Sequence, residues 1–119
     1  MVIDNRVDPI AQGLPDAWTM TDEWYSFTKN PRDNGSHILA TLDESTYAPV
    51  FLTGKSLRMG DHPVAWSRHL GPAGLDPEHG GGRMFYSAIG HRPEIYADPV
   101  YRRMPVNAVI WAAGAGSKI

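Results

Sequence analysis

The sequence predicts a small α/β domain, rich in short strands, with one substantial helix near its C-terminal end. Three observations point there. Apolar residues alternate at the two-residue period of a strand in several short runs. Helical spacing is sustained near the end, where Val100, Met104, Ala108 and Trp111 fall on one face. Ten prolines and twelve glycines in 119 residues interrupt the chain too often for long elements.

Taken in order, "MVID" is short, apolar and β-branched, and reads as a strand. "DPIAQGLP" reads as one helical turn: Asp8 caps it, Pro9 fits its first position, and Gly13 with Pro15 ends it. "AWTMTDEWYSF" is aromatic-rich with patches of alternation, which suits a strand or an extended segment. "TKNPRDNGS" is a polar turn cluster. In "HILATLD" the alternation of Ile38, Ala40 and Leu42 predicts a half-buried strand. "ESTYAPVFLTGKSLRMGD" reads as a long irregular connection.

"HPVAWSRHL" alternates again and predicts a strand. "GPAGLDPEHGGG" has the composition of a mobile loop, and "GGGR" suits a hairpin turn needing positive φ. It is no phosphate loop, because no Lys-Ser/Thr follows and it leads into a strand. "RMFYSAI" is nearly continuous in its apolar character, as in a parallel strand buried on both faces. After the "GHRPEIYA" loop, Asp98 caps the helix and Pro99 opens it. Pro105 removes a backbone donor and is expected to kink or split that helix; Gly114 ends it.

Composition excludes several classes of function. The formal net charge of −2 gives no electrostatic reason to bind nucleic acid or an anionic membrane. No apolar run approaches the roughly 18 residues of a spanning helix, so no membrane segment is expected. The opening "MVIDNRVDP" lacks the apolar core of a signal peptide, which leads us to expect a cytoplasmic protein. With no cysteine, neither disulfide nor thiolate chemistry is available within the chain.

Ionisable residues stand at the edge of an apolar element in three places. Asp22-Glu23 precedes Trp24-Tyr25, Asp61-His62 precedes Pro63, and His91 follows Gly90. At the carboxyl end of a strand in an open α/β sheet, His91 would face a ligand crevice. Its functional reading is a general base or a metal ligand; its plain reading is a loop histidine bonded to backbone. His91, His62 and Glu23 together form a two-histidine, one-carboxylate set suited to a divalent metal such as zinc. The plain alternatives are a turn histidine at His62 and an exposed carboxylate at Glu23. Trp18, Trp24, Tyr25 and Trp66 read as core residues, as crevice walls, or as platforms for sugar C–H faces.

Five stretches carry a family resemblance: "GLPDAWTMTDEWYSF", "ILATLDESTY", "MGDHPVAWSRHLGP", "GGGRMFYSAIGHRPEIYADPVYRRM" and "IWAAG". In that order they resemble the ThuA-like (trehalose utilisation) family, from about Pro9 to Gly114. The resemblance implies a partial class I glutamine amidotransferase-like sandwich. Residues 1–119 would form one ThuA-like domain, its C-terminal portion, with the N-terminal βα units absent. Related amidotransferases end the corresponding strand in His-Pro-Glu, whereas this chain has His91-Arg92-Pro93-Glu94. The extra residue breaks that geometry, so glutaminase activity is not expected and the partner of His91 is expected not to be Glu94. What the resemblance implies is carbohydrate chemistry on a disaccharide or keto-sugar. His91, His62 and Glu23 would be the catalytic or metal-binding residues, and Trp24, Tyr25, Trp66 and Arg83 would contact a small-molecule carbohydrate. A non-catalytic carbohydrate-binding or subunit-interaction module is the alternative, with a homo-oligomer or a separate N-terminal half covering an exposed sheet edge.

Overall fold

The computed structural model describes residues 1–71 and 81–114. Four strands form one sheet in the order β1-β2-β3-β4: Val2–Ile3, His37–Thr41, Pro63–Leu70 and Gly82–Ser87. Helix α1 spans Pro99–Ala112. The domain is therefore a small α/β unit with a single α-helix among the described residues, as the alternation and the one sustained helical period imply.

The sheet departs from expectation in its direction. Every neighbouring pair is antiparallel, with Ile3 opposite Ala40, Ile38 opposite Trp66, and Trp66 opposite Tyr86. An expected parallel strand at "RMFYSAI" is thus corrected. β4 lies at the sheet edge, and its residues Arg83 to Phe85 are only half-buried. Full burial begins after the strand, at Ala88 and Ile89. Sequence neighbours that pair antiparallel need no crossover helix between them, which is why one helix suffices.

The helix is not split at Pro105. α1 runs as one element through Pro105. Proline there costs a backbone hydrogen bond, but Tyr101, Met104 and Ala108 are buried on either side of it. Their packing holds the flanking turns together. Asp98 caps the helix by accepting from the N–H groups of Val100 and Tyr101, at 2.7 and 3.0 Å. Gly114 leaves it in the left-handed region at φ 72°.

Local signals elsewhere act as read. Asp8 accepts from Ile10 N–H at 2.8 Å and starts a 3₁₀ turn over Pro9–Ala11. Asn30 does the same for Pro31–Asn34, which closes on Gly35 at φ 80°. The long connection after β2 carries another 3₁₀ turn, Glu44–Thr46, and a small antiparallel bridge from Val50 to Ser56. The loop "GPAGLDPEHGGG" and most of the turn expected at "GGGR" lie outside the described residues; Gly82 itself is a strand residue opposite Leu70.

The core forms between the sheet, α1 and the Pro9–Ala11 turn, around Ile10, Leu14, Leu39, Val64, Ile89 and Met104. α1 covers the face that carries His69 and Arg83, since Trp111 meets both side chains. On the opposite face Trp66 stacks on Tyr86 at 4.3 Å, and Phe27 meets Trp66 edge-on at 5.4 Å. Phe27 belongs to the segment 18–29, which forms no strand. That segment brings Asp22 and Glu23 to the end of β4.

Candidate active site

Gly90 makes the turn that exposes His91. Beyond Ser87 the ladder continues one step, with Ala88 N–H donating to Val64 at 2.8 Å. The chain then turns at Gly90, whose φ is 116°. Residues with a Cβ rarely adopt that conformation. A Cβ at Gly90 would also lie 2.5 Å from the Tyr96 hydroxyl oxygen.

Asp22 fixes the backbone of this turn. Its carboxylate accepts from the N–H groups of Gly90, His91 and Arg92, at 2.6, 3.1 and 3.3 Å. Backbone donors converging on a carboxylate form a strong, charge-assisted set. They join two segments far apart in sequence. The next residue, Glu23, then lies with Oε2 3.2 Å from His91 Nε2. Both side chains are about half open to solvent, at 55% and 53%. Glu94 does not join them; its Oε2 is 3.6 Å from Arg92 Nε.

A shallow cleft of about 360 Å³ is lined by Thr19, Met20, Thr21, Arg92, Glu94, Ile95 and Asp98, sequence neighbours of the pair, with neither Glu23 nor His91 in the lining. Arg92 follows His91, and Thr21 lies two residues before Glu23. The lining mixes hydroxyls, one guanidinium and two carboxylates with the apolar flanks of Met20 and Ile95.

His62 is placed differently. It is buried, at 1% exposure. Its Nε2 lies 2.8 Å from the Tyr25 carbonyl oxygen, and its Nδ1 lies 2.9 Å from Glu44 Oε1. The Tyr47 hydroxyl is 3.2 Å from Nδ1. Glu44 is equally buried and also accepts from the N–H groups of Met59 and Gly60, at 2.6 and 3.0 Å. Arg58 Nη1 approaches its second oxygen at 3.6 Å. Burial alone would push the Glu44 carboxyl up. The two backbone donors and the His62 bond outweigh that, and the carboxyl ends below its ordinary range. Burial, with the Glu44 charge beside it, pushes the Tyr47 hydroxyl up to about 12.

The structure therefore brings together two of the three residues expected at the site, Glu23 and His91, and gives His62 other partners. The expected metal set does not form. Both nitrogens of His62 are already engaged by protein groups, Nε2 by the Tyr25 carbonyl and Nδ1 by the Glu44 carboxylate. Among the described residues no group of three or more His, Asp or Glu side chains is arranged to hold a metal ion. The expected sugar contacts also separate. Tyr25 is half-exposed; Trp24 packs against the core; Trp66 stacks in the aromatic cluster with Tyr86. Arg83 is the second residue of β4, at the opposite end from His91. It donates to the Trp111 carbonyl and lies 5.5 Å from that ring's centroid.

Asp22, Arg92 and Glu44 were not expected at the site. Asp22 adjoins Glu23 in the sequence, but nothing local shows that three amides await it. Glu44 reads as one more polar residue in a turn, and no pattern announces its burial.

A family model described as ThuA, trehalose utilisation, matches residues 1–112. Comparison with curated proteins and with solved structures finds no match.

Proposed function

The chain belongs to the ThuA family of trehalose utilisation, and from that membership we propose that it acts on a disaccharide or keto-sugar at the Glu23–His91 pair. One observation carries the reading. A carboxylate and an imidazole meet at 3.2 Å on an open surface, and their sequence neighbours line a polar cleft. Their approach is set by the grip of Asp22 on the backbone of residues 90–92. Family membership also implies a glutamine amidotransferase-like fold, of which this sheet and helix would be a portion.

The chemistry suits proton transfer next to a carbonyl. With Nε2 directed at Glu23, Nδ1 is the nitrogen that would take a proton from the carbon beside the keto group. Glu23 would orient the ring and stabilise the imidazolium that forms. Negative charge develops on the carbonyl oxygen as the proton leaves, and Arg92 at the cleft is the nearby cation suited to it. The cleft volume of about 360 Å³ lies in the range of small-molecule sites. Thr19, Thr21 and Glu94 offer hydrogen bonds to hydroxyls. Met20 and Ile95 suit a C–H face.

The test is titration and turnover with a panel of disaccharides and their keto forms, on the unaltered chain and on His91→Ala. The reading expects at least one keto-sugar to bind, and solvent deuterium to exchange into it. Loss of His91 should slow that exchange by about 10²–10⁴-fold. A panel that neither binds nor exchanges sinks the proposal. A second reading, subunit contact, is supported by Val106, Val109 and Ile110, which stand exposed at i, i+3 and i+4 of α1. It expects a dimer in sedimentation that Val109→Lys dissociates; a monomer at all concentrations rejects it.

A further inference from the structure

We infer that His62 is a positioning residue: clamped by the buried Glu44, it holds the Tyr25 carbonyl and thereby keeps Glu23 against His91. The inference rests on the reading of Glu23–His91 as the working pair.

The segment that carries Glu23 needs such a hold. Among the described residues, positions 19–29 make no backbone-to-backbone hydrogen bond. Their anchors all involve side chains. Asp22 grips the amides of residues 90–92. The Tyr25 carbonyl meets His62 at 2.8 Å. The Ser26 hydroxyl donates to the Leu57 carbonyl, and Phe27 N–H points at the Met59 sulfur at 3.3 Å. Glu23 lies between the first anchor and the second. A chain spans at most about 3.3–3.6 Å per residue, so a shift at Tyr25 is felt two residues back.

Glu44 stands behind two of these anchors. It bonds His62 directly, and it accepts from Met59 N–H, which sets the loop presenting the Met59 sulfur to Phe27. A carbonyl oxygen only accepts, so the 2.8 Å contact requires a proton on His62 Nε2. The 2.9 Å contact of Nδ1 with Glu44 holds the other side of the ring. The ring is thus fixed in rotation as well as in place. Tyr47 beside Nδ1, Arg58 beside Glu44, and Asp61, whose charge interacts with the ring, are further ionisable groups around it.

The experiment compares amide exchange in the unaltered chain, Glu44→Gln and His62→Gln. The inference expects exchange at Gly90, His91 and Arg92 to quicken by about tenfold or more in both variants, while Ala88, bonded to the Val64 carbonyl just beyond β4, keeps its protection. It also expects the His91 ring resonances to stop responding to Glu23→Gln in either background. A merely structural role for His62 would not predict that second effect. Unchanged protection at residues 90–92, or a His91 signal that still senses Glu23, overturns the inference. Should both variants fail to fold, the unaltered chain decides. A hydrogen-bond coupling from His62 Nε2 to the Tyr25 carbonyl supports the clamp, and a His62 ring without a proton on Nε2 overturns it. None of these readouts uses a sugar, so a failed sugar panel strikes the proposed function, and unaltered exchange at residues 90–92 strikes this inference.

Discussion

Two glutamate–histidine pairs occupy this small domain, and their surroundings set them apart. Glu44 and His62 meet at 2.9 Å with side chains 4% and 1% exposed. Glu23 and His91 meet at 3.2 Å with both side chains about half open. The buried pair has every partner supplied by the protein, so it can hold structure but has no atom to offer a substrate. The open pair is held by its backbone and leaves chemistry available. Removing one member of a buried pair strands the other in a medium that cannot solvate it. Glu44→Ala would also leave the Met59 and Gly60 amides without their acceptor. A loss of about 3–5 kcal/mol is expected from urea unfolding. A loss within about 1 kcal/mol would mean that the pair is solvated and the contrast with the surface pair fails.

Acid separates the two pairs by another route. The folded Glu44 carboxyl titrates below its ordinary range, held there by its backbone and His62 donors against the effect of burial. A depressed carboxyl contributes stability that is fully present above its unfolded value of about 4.3. That contribution is lost as pH falls through the lower, folded value. Asp61 adds in the same direction, because its bond from Arg32 also lowers its carboxyl. Urea midpoints measured across the acid range should therefore fall below about pH 4, and Glu44→Gln should flatten part of the fall. An unchanged slope in Glu44→Gln would assign the whole effect to Asp61 and its like.

How much of this the sequence carried can be read from particular residues. Asp8, Asp98 and Gly114 act locally, and their capping roles follow from a few neighbouring residues. The strands at His37–Thr41 and Pro63–Leu70 follow from alternation. Strand direction does not, because parallel and antiparallel partners impose similar patterns on a half-buried strand. The expectation that His91 would face a crevice relied on a parallel sheet. The structure exposes His91 by a different means, through Gly90 and the distant carboxylate of Asp22. Contacts such as Asp22 to residues 90–92, or Glu44 to His62, are decided by tertiary packing. A pattern of neighbouring residue types has no term for them. The two histidines read alike in sequence because each sits beside a strand boundary; only burial distinguishes them.

Gly90 tests the geometry around the open pair with a smaller effect. Its φ of 116° disfavours any side chain, and a Cβ would meet the hydroxyl oxygens of Tyr96 at 2.5 Å and Tyr101 at 3.1 Å. Those hydroxyls also donate to the backbone here, Tyr96 to Gly90 at 2.9 Å and Tyr101 to Ile89 at 3.1 Å. Gly90→Ala should cost about 1–3 kcal/mol in urea unfolding. It should also weaken the Asp22 grip, read as faster exchange at His91 and Arg92. A stable variant with unchanged exchange would show that the turn tolerates a side chain and does not set the position of His91.

The smallest stability effect belongs to the open pair itself. Both partners are half solvated, and exposed ion pairs contribute about 0–1 kcal/mol. His91→Ala and Glu23→Gln should therefore unfold within about 1 kcal/mol of the unaltered chain. The same two substitutions should give the largest losses in any keto-sugar exchange, because they remove the proposed base and the group that orients it. The comparison is sharpest when both measurements are made on all four variants. Glu44→Gln and His62→Gln should lose stability first and activity through displaced geometry. Glu23→Gln and His91→Ala should lose activity with the fold intact. If His91→Ala proves as destabilising as Glu44→Ala, the surface pair is a structural contact like the buried one. The chemistry would then have to be sought elsewhere on the domain.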